Sequence, residues 1–252
     1  MQQDALDNGW DASTEAWVRS MDNGEFNRTK ILDPAMLRVC GEVRGRRVLD
    51  VGCGEGRFCR MLAERGAETV GLDPTEGLLR VARERQPGGN FVQGMAEFLP
   101  FTAAEFDLVV SFVTLVDIED YQAAIQEMAR VLRPGGVLAV ANLNSFTSAT
   151  PRGWERGEDG AKLHWTLDHY MRESWGWAEW AGIRIRNHHR PLSAYMRAFL
   201  AAGLVLEHFE EPQPLLTEEE VATDAYAARQ QRESLRKPDF VVMRWRKVQA
   251  AP

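Results

Sequence analysis

The sequence predicts an α/β protein on a doubly wound, mostly parallel sheet, and three observations carry that expectation. Short apolar runs alternate with amphipathic helical stretches from residue 47 to residue 142. The first run continues as Val48-Leu49-Asp50-Val51-Gly52-Cys53-Gly54-Glu55-Gly56, a strand that ends in glycines at alternate positions before a helical pattern. The second run ends in Asp73, 21 residues beyond Gly52. Glycines after a first strand let the backbone approach a ligand, and a carboxylate near that distance is placed to bind the hydroxyls of a ribose.

The elements follow in order. Residues 10–40 read as helical, with Trp10, Trp17, Met21, Ile31, Leu32 and Met36 among the apolar points. Asp33-Pro34 marks a helix start there, because proline suits the first helical position. Residues 47–51 are the first strand. A helix through Phe58, Met61 and Leu62 ends near Gly66. The second strand is 69–72, and Thr75 caps the next helix. The turn Gln86-Pro87-Gly88-Gly89 leads to a third strand at 90–93. Residues 106–111 form a continuous apolar run, as a strand buried on both faces does. An amphipathic helix at 121–132 ends at Arg133-Pro134-Gly135-Gly136, and a fifth strand follows at 137–142.

The alternation then stops. Residues 144–190 hold five of the eight tryptophans and four of the five histidines, and are expected to form a helical, aromatic-rich lid. After them come a helix at 192–202, a strand at 204–209, a polar helix at 217–235 and a last strand at 240–245, which is expected at a sheet edge. The division expected is therefore an N-terminal helical cap (1–45), an α/β core (46–143), the insertion (144–190) and a C-terminal part of the core (191–252).

With 252 residues the chain has room for a sizeable core, and 44% hydrophobic with 27% charged residues is a globular composition. A net charge of -7 argues against a general nucleic-acid or membrane-surface binder. Cys40, Cys53 and Cys59 have neither metal-ligand spacing nor an even count for a disulfide framework. No metal is expected. Residues 1–4 do not begin a signal peptide, and no apolar run is long enough to span a bilayer, so the expected location is the cytoplasm.

Asp50 bears on the ligand. A dinucleotide lays its pyrophosphate over the first glycine loop, where a carboxylate repels it. S-adenosylmethionine offers an ammonium and a sulfonium, which a carboxylate attracts. The dinucleotide fingerprint also needs glycine at position 57, where Arg57 stands. A nicotinamide-dependent oxidoreductase is thus the alternative class, and a non-catalytic cofactor-binding protein a third.

Five segments in order, Val48–Phe58, Gly71–Pro74, Gly94–Phe101, Phe106–Ser111 and Val131–Leu138, resemble those of class I S-adenosylmethionine-dependent methyltransferases, most closely the small-molecule branch often called type 11. The resemblance covers roughly residues 46–143, and residues 188–214 resemble the C-terminal part of many such enzymes. It implies a seven-stranded Rossmann-like sheet with an antiparallel C-terminal hairpin. It also implies roles for individual residues. Gly52, Cys53 and Gly54 lie against the methionine moiety of the cofactor, with Asp50 behind them. Asp73 holds the ribose, Pro74 and Thr75 border the adenosine, and Ala96 and Glu97 meet the adenine edge. Ser111 and Phe112 face the transferring methyl, while Trp17 and Arg28 close the site from the N-terminal side. The family's usual aspartate after the third-motif glycine is Met95 here. Either Glu97 reaches in, or backbone and packing hold the adenine; one lost hydrogen bond costs about 1 kcal/mol.

Methyl transfer from a sulfonium is an in-line displacement that mainly needs positioning, and an oxygen acceptor is helped by a base. His189 is the first candidate base and His188 the second, since both precede the helix at 192–202. Tyr170, Trp175 and Trp177 of the insertion, with Tyr195 on the following helix, are the candidate acceptor contacts. Asp117, Glu119 and Asp120 follow the fourth strand; no second acidic cluster joins them to make a metal site, and a helix cap is the favoured role. The expected acceptor is an oxygen or nitrogen of a small, partly aromatic molecule. A tRNA or protein acceptor is the alternative; the acidic charge disfavours tRNA, and Val110-Ser111-Phe112-Val113 stands where base or amide methylation would call for an Asn-Pro-Pro-Tyr-type tetrapeptide.

Overall fold

The computed structural model describes residues 8–150 and 153–248. The first seven residues of the expected cap, residues 151–152 of the insertion and residues 249–252 lie outside them. Helix α1 (Trp10–Asp22) is followed by a π-helical stretch, Asn27–Leu32, that runs directly into α2 (Asp33–Cys40), with Pro34 in its first turn. The core then alternates as expected: β1 (Arg47–Val51), α3 (Arg57–Ala63), β2 (Glu68–Asp73), α4 (Glu76–Arg85), β3 (Asn90–Gln93), β4 (Phe106–Phe112), α5 (Tyr121–Val131) and β5 (Leu132–Leu143). The insertion holds α6 (Ser145–Ser148), β6 (Trp154–Arg156), β7 (Lys162–Trp165), β8 (Ser174–Trp180) and β9 (Ile183–His189). The chain closes with α7 (Leu192–Ala201), β10 (Leu204–Glu210), α8 (Glu218–Thr223), α9 (Ala225–Ser234) and β11 (Phe240–Lys247).

Seven strands form one sheet in the order β10-β11-β5-β4-β1-β2-β3. The five strands from β5 to β3 are parallel, and β11 runs antiparallel to both β5 and β10. In β1, Leu49 and Val51 face a core shared with α5 and α7, while Val48 faces one built on α2 and α3. Burial on both faces is why these strands read as unbroken apolar runs. The strand order reverses between β1 and β4, so the loops after them splay apart and leave a crevice at their carboxyl ends.

Three expectations need correction. The last strand is interior: β11 lies between β10 and β5, with Phe240 to Met243 and Trp245 buried, and β10 takes the edge. The terminal hairpin folds back so that its second strand pairs on both sides. The insertion is not helical. Apart from the four-residue α6, it consists of two antiparallel hairpins, β6-β7 and β8-β9. Trp175-Gly-Trp177 and the alternation in Ile183-Arg-Ile185-Arg have a two-residue period with β-branched and aromatic side chains, which a tryptophan count does not register. Third, the polar helix breaks at Asp224, whose extended backbone and side-chain bond to the Tyr226 N–H start α9 afresh.

Candidate active site

A cavity of about 550 Å³ opens at the carboxyl ends of β1, β2 and β4. Its floor is the glycine loop. Gly52 and Gly54 have φ of 77° and 55°, and the N–H groups of Gly52 and Cys53 both donate to the Leu72 carbonyl, at 2.7 and 3.0 Å. A Cβ on Gly52 would lie 2.3 Å from Thr114 Cγ2, so only glycine lets the loop pass under the segment after β4. At the end of β2 the Asp73 carboxylate accepts from the Gly54 N–H at 2.8 Å and from the Thr75 N–H at 2.9 Å. The Thr75 side chain is a further partner, and the two carboxylate oxygens keep lone-pair capacity for a ligand hydroxyl.

Asp50 is buried behind the loop. One of its oxygens accepts from the Cys59 thiol at 3.5 Å and the other has no partner. It lines a separate hollow of about 50 Å³ beneath the glycines, where Cys53 also points. Trp17 and Arg28 border both spaces. The Trp17 indole N–H donates to Glu55 Oε2 at 3.2 Å. The Arg28 guanidinium lies 4.4 Å over the Phe112 ring, 5.4 Å from the Trp17 ring, and donates to the Phe112 carbonyl. Arg28 sits in the π-helical stretch, whose wider turn is a common device for re-aiming a side chain at a site. Desolvation lowers its pKa from the ordinary guanidinium value.

Pro74, Thr75, Leu78, Met95, Ala96 and Glu97 line the far end. Burial raises the Glu97 carboxyl above its ordinary range. Ser111 does not reach the cavity. It is buried inside the sheet, between Val51 and Val140, and the next residues turn toward the space instead. Val113 does so with φ of 58°, a strained conformation for a β-branched side chain.

The remaining wall combines residues 113–119 with the β8-β9 hairpin. Strand alternation points Ala178 and Trp180 inward, while Trp175 and Trp177 face outward against Arg186 and Arg184. None of the four expected acceptor contacts lines the cavity. Tyr170 stacks on Phe146, and Tyr195 packs edge-on to Tyr121 in the core between α5 and α7. The two histidines also lie outside it. Tyr170's carbonyl can only accept, so His189 Nε2 carries the proton at 2.9 Å, and Nδ1 accepts from Ser148 Oγ at 2.8 Å. His189 is thus spent on joining three segments of the insertion. His188 is buried with Nε2 unpartnered, and desolvation, reinforced by Arg190 and Arg186, pushes its pKa down to about 4.

Two residues shape this wall, Asp117, expected only as part of a helix cap, and Arg190, to which the sequence assigned no role. Asp117 faces the cavity, bonded to Asn187 Nδ2 at 2.5 Å and to the Trp10 side chain. Asp120, three residues on, is the expected cap of α5, through the Ala123 N–H at 3.0 Å. Arg190 is buried and donates to the carbonyls of Leu115, Ile118 and Glu119 and to the Tyr195 hydroxyl. It fixes the path of the segment that carries Asp117. Its only trace in the sequence is an arginine beside a proline ahead of a helix. Among the described residues, no group of three or more His, Cys, Asp or Glu is arranged to hold a metal ion, and no helix is long and apolar enough to cross a membrane.

Burial raises Asp50 to about 7, Asp73 to about 6 and Asp117 to about 8. A carboxyl raised on folding stabilises the fold below its unfolded pKa of about 4, and that contribution is lost as pH climbs through the folded value. His188 runs the other way, and its contribution is complete above about pH 6.5. The cofactor-free protein is therefore expected to lose roughly 3 °C or more of Tm between about pH 6.5 and pH 8.5. Calorimetric scans would check this; a flat or rising Tm over that interval would contradict it.

A family model described as a methyltransferase domain matches residues 49–140. Residues of this chain are 42% identical over 111 positions to a malonyl-[acyl-carrier protein] O-methyltransferase of Enterobacter lignolyticus, covering 44% of each protein. They are 39% identical over 112 positions to a demethylmenaquinone methyltransferase of Renibacterium salmoninarum, covering 44% of this chain and 47% of that one. The chain thus matches less than half the length of these curated relatives. An S-adenosylmethionine-dependent methyltransferase from Mesorhizobium loti has a similar structure, with a TM-score of 0.73 and 28% identity, over 89% of this chain and 99% of that one. With the sheet order, these likenesses show that residues 49–140 carry a methyltransferase domain and that most of the chain shares its fold with an S-adenosylmethionine-dependent methyltransferase.

Proposed function

We propose that the chain binds S-adenosylmethionine across the ends of β1, β2 and β4 and positions a small molecule for methylation at oxygen or nitrogen. The observation that carries this reading is the Asp73 carboxylate, fixed by the Gly54 and Thr75 N–H groups at the cavity edge. It would take the ribose hydroxyls. Gly52 and Gly54 would meet the methionine moiety, with Arg28 near its carboxylate. The unpartnered Asp50 oxygen behind the loop adds negative charge on the side of the ammonium and sulfonium. Ala96 and Glu97 would border the adenine, beside an exposed Met95 that supplies packing rather than a hydrogen bond. The bound cofactor supplies an activated methyl group, and the protein supplies alignment and exclusion of water.

A cavity of about 550 Å³ favours a small acceptor over tRNA or a protein surface. Arg57, held by Asp33 at 2.8 Å, occupies the position where a dinucleotide loop needs glycine. The named relatives act on different acceptors, so kinship does not choose one. Calorimetric titration with S-adenosylmethionine, S-adenosylhomocysteine and NADH tests the reading. Micromolar binding of the first two and none of the third is expected; the opposite pattern would reassign the loop to a dinucleotide.

His189 holds the insertion together in this reading and is not the base. The variant H189Q is expected to keep its cofactor affinity within about threefold, because the affected bonds are remote from the ligand and each is worth about 1 kcal/mol to the fold. A Kd raised by tenfold or more would return His189 to the site.

A further inference from the structure

We propose that the acceptor is an amine that arrives as an ammonium, and that Asp117 both anchors that cation and takes its proton. The proposal rests on the methyltransferase reading above and names the acceptor class it left open.

The placement is the first argument. Asp117 stands on the segment after β4, against β9 of the β8-β9 hairpin, and its hydrogen-bond partners, Asn187 and Trp10, are both neutral. They orient the carboxyl without supplying a positive charge, so a bound cation is what would favour its ionised form. The second argument is charge. Among the described residues, Glu25, Asp73, Glu97 and Glu119 line the cavity together with Asp117, which burial keeps protonated near neutral pH until a cation sits beside it, against Arg28 and Arg186. Arg28 lies at the glycine-loop end among Glu25, Asp33 and Glu55, and Arg186 pairs with Glu119 at 3.3 Å. A cofactor of net positive charge offsets only part of the excess, so a cation is the complementary second ligand. The third argument is the wall itself. Trp10 and Trp180 border the same space as Asp117, and indole faces attract ammonium groups in a desolvated setting. An anionic acceptor would meet the wrong sign, and a neutral alcohol would leave the carboxylate's burial uncompensated.

The chemistry fits the same residue. An ammonium has no lone pair, so one proton must leave before nitrogen can attack. That proton passes to the Asp117 carboxylate. Burial raises this group to about 8, with Asn187, Trp10 and Arg28 acting in the opposite sense and Asp73 adding to the rise. The nitrogen lone pair then forms the N–C bond to the methyl carbon as the C–S bond breaks, and the bond's electron pair returns to sulfur. The positive charge moves from sulfur to the methylated nitrogen, and Asp117 later releases its proton to solvent.

Calorimetry on the protein saturated with S-adenosylhomocysteine tests this, using 2-phenylethylamine and tryptamine against 2-phenylethanol and phenylacetate. The amines are expected to bind at least ~10-fold more tightly than the alcohol, and D117N to lose ~10-fold or more of amine affinity with alcohol affinity unchanged. The unchanged Kd of S-adenosylhomocysteine would show that the variant is folded. Equal or tighter binding of the alcohol or the carboxylate, an amine affinity indifferent to D117N, or no binding of any probe beside bound S-adenosylhomocysteine would each overturn the proposal. Failure of S-adenosylhomocysteine itself to bind would overturn the cofactor reading and this inference with it.

Discussion

Replacing Asp73 by alanine is expected to weaken binding of S-adenosylmethionine and S-adenosylhomocysteine by at least ~100-fold. Two hydrogen bonds from ribose hydroxyls to a carboxylate contribute roughly 1.5–3 kcal/mol each, and every 1.4 kcal/mol is about a factor of ten. The Gly54 and Thr75 N–H groups lose their acceptor in the same variant, so the glycine loop, proposed to meet the methionine moiety, loosens as well. The fold should tolerate the change, because removing a carboxyl that burial already penalises offsets part of the lost bonding. D73N keeps one acceptor oxygen and should fall between the two. Titration calorimetry with both variants reads the difference. A D73A protein that binds within threefold of the parent would remove Asp73 from the site.

The second large effect is expected at Arg190. The variant R190M keeps a long apolar stem but leaves the buried carbonyls of Leu115 and Ile118 without their donor, together with that of Glu119. It also ends the stacking of the guanidinium on Tyr121, 4.3 Å from the ring centroid. An unsatisfied buried acceptor costs roughly 1–3 kcal/mol, so a loss of about 3–5 kcal/mol in unfolding free energy is expected. Turnover should fall further than stability alone explains, because the segment from 115 to 119 carries Asp117 and one cavity wall. Denaturant unfolding and cofactor titration on the same sample separate the two effects. Cofactor affinity should fall less than turnover, since Asp73 and the glycine loop lie on the other side of the space. A variant as stable as the parent would show that the carbonyls find other donors and that Arg190 is dispensable.

Legibility followed the range of the interactions involved. The cofactor half is written in consecutive residues: Gly52 and Gly54 must be glycine because of local backbone angles and the crowding of Thr114, and Asp73 ends the next strand. The Trp17 and Arg28 expectation also placed both residues at the cavity, although their partners Glu55 and Phe112 are far away in the chain. The acceptor half was less legible for two reasons. Which face of a strand a tryptophan occupies is set by pairing, which turns Trp180 to the cavity and Trp175 and Trp177 away from it. The intrinsic pKa of a histidine says nothing of its partners, and Ser148 and Tyr170 engage both nitrogens of His189.

The sequence by itself determined the parallel α/β core, the order of its elements and the glycine loop at the cavity floor, because strand period, glycine placement and capping act within a few residues. Only the tertiary structure decided that the insertion is two hairpins, that β11 lies inside the sheet and that Asp117 is held by Asn187 and Trp10 at the cavity. The physical reason is that those outcomes depend on pairing and desolvation between segments tens to more than a hundred residues apart. A carboxylate that caps a helix and one that faces a ligand are the same letter until the groups around them are known.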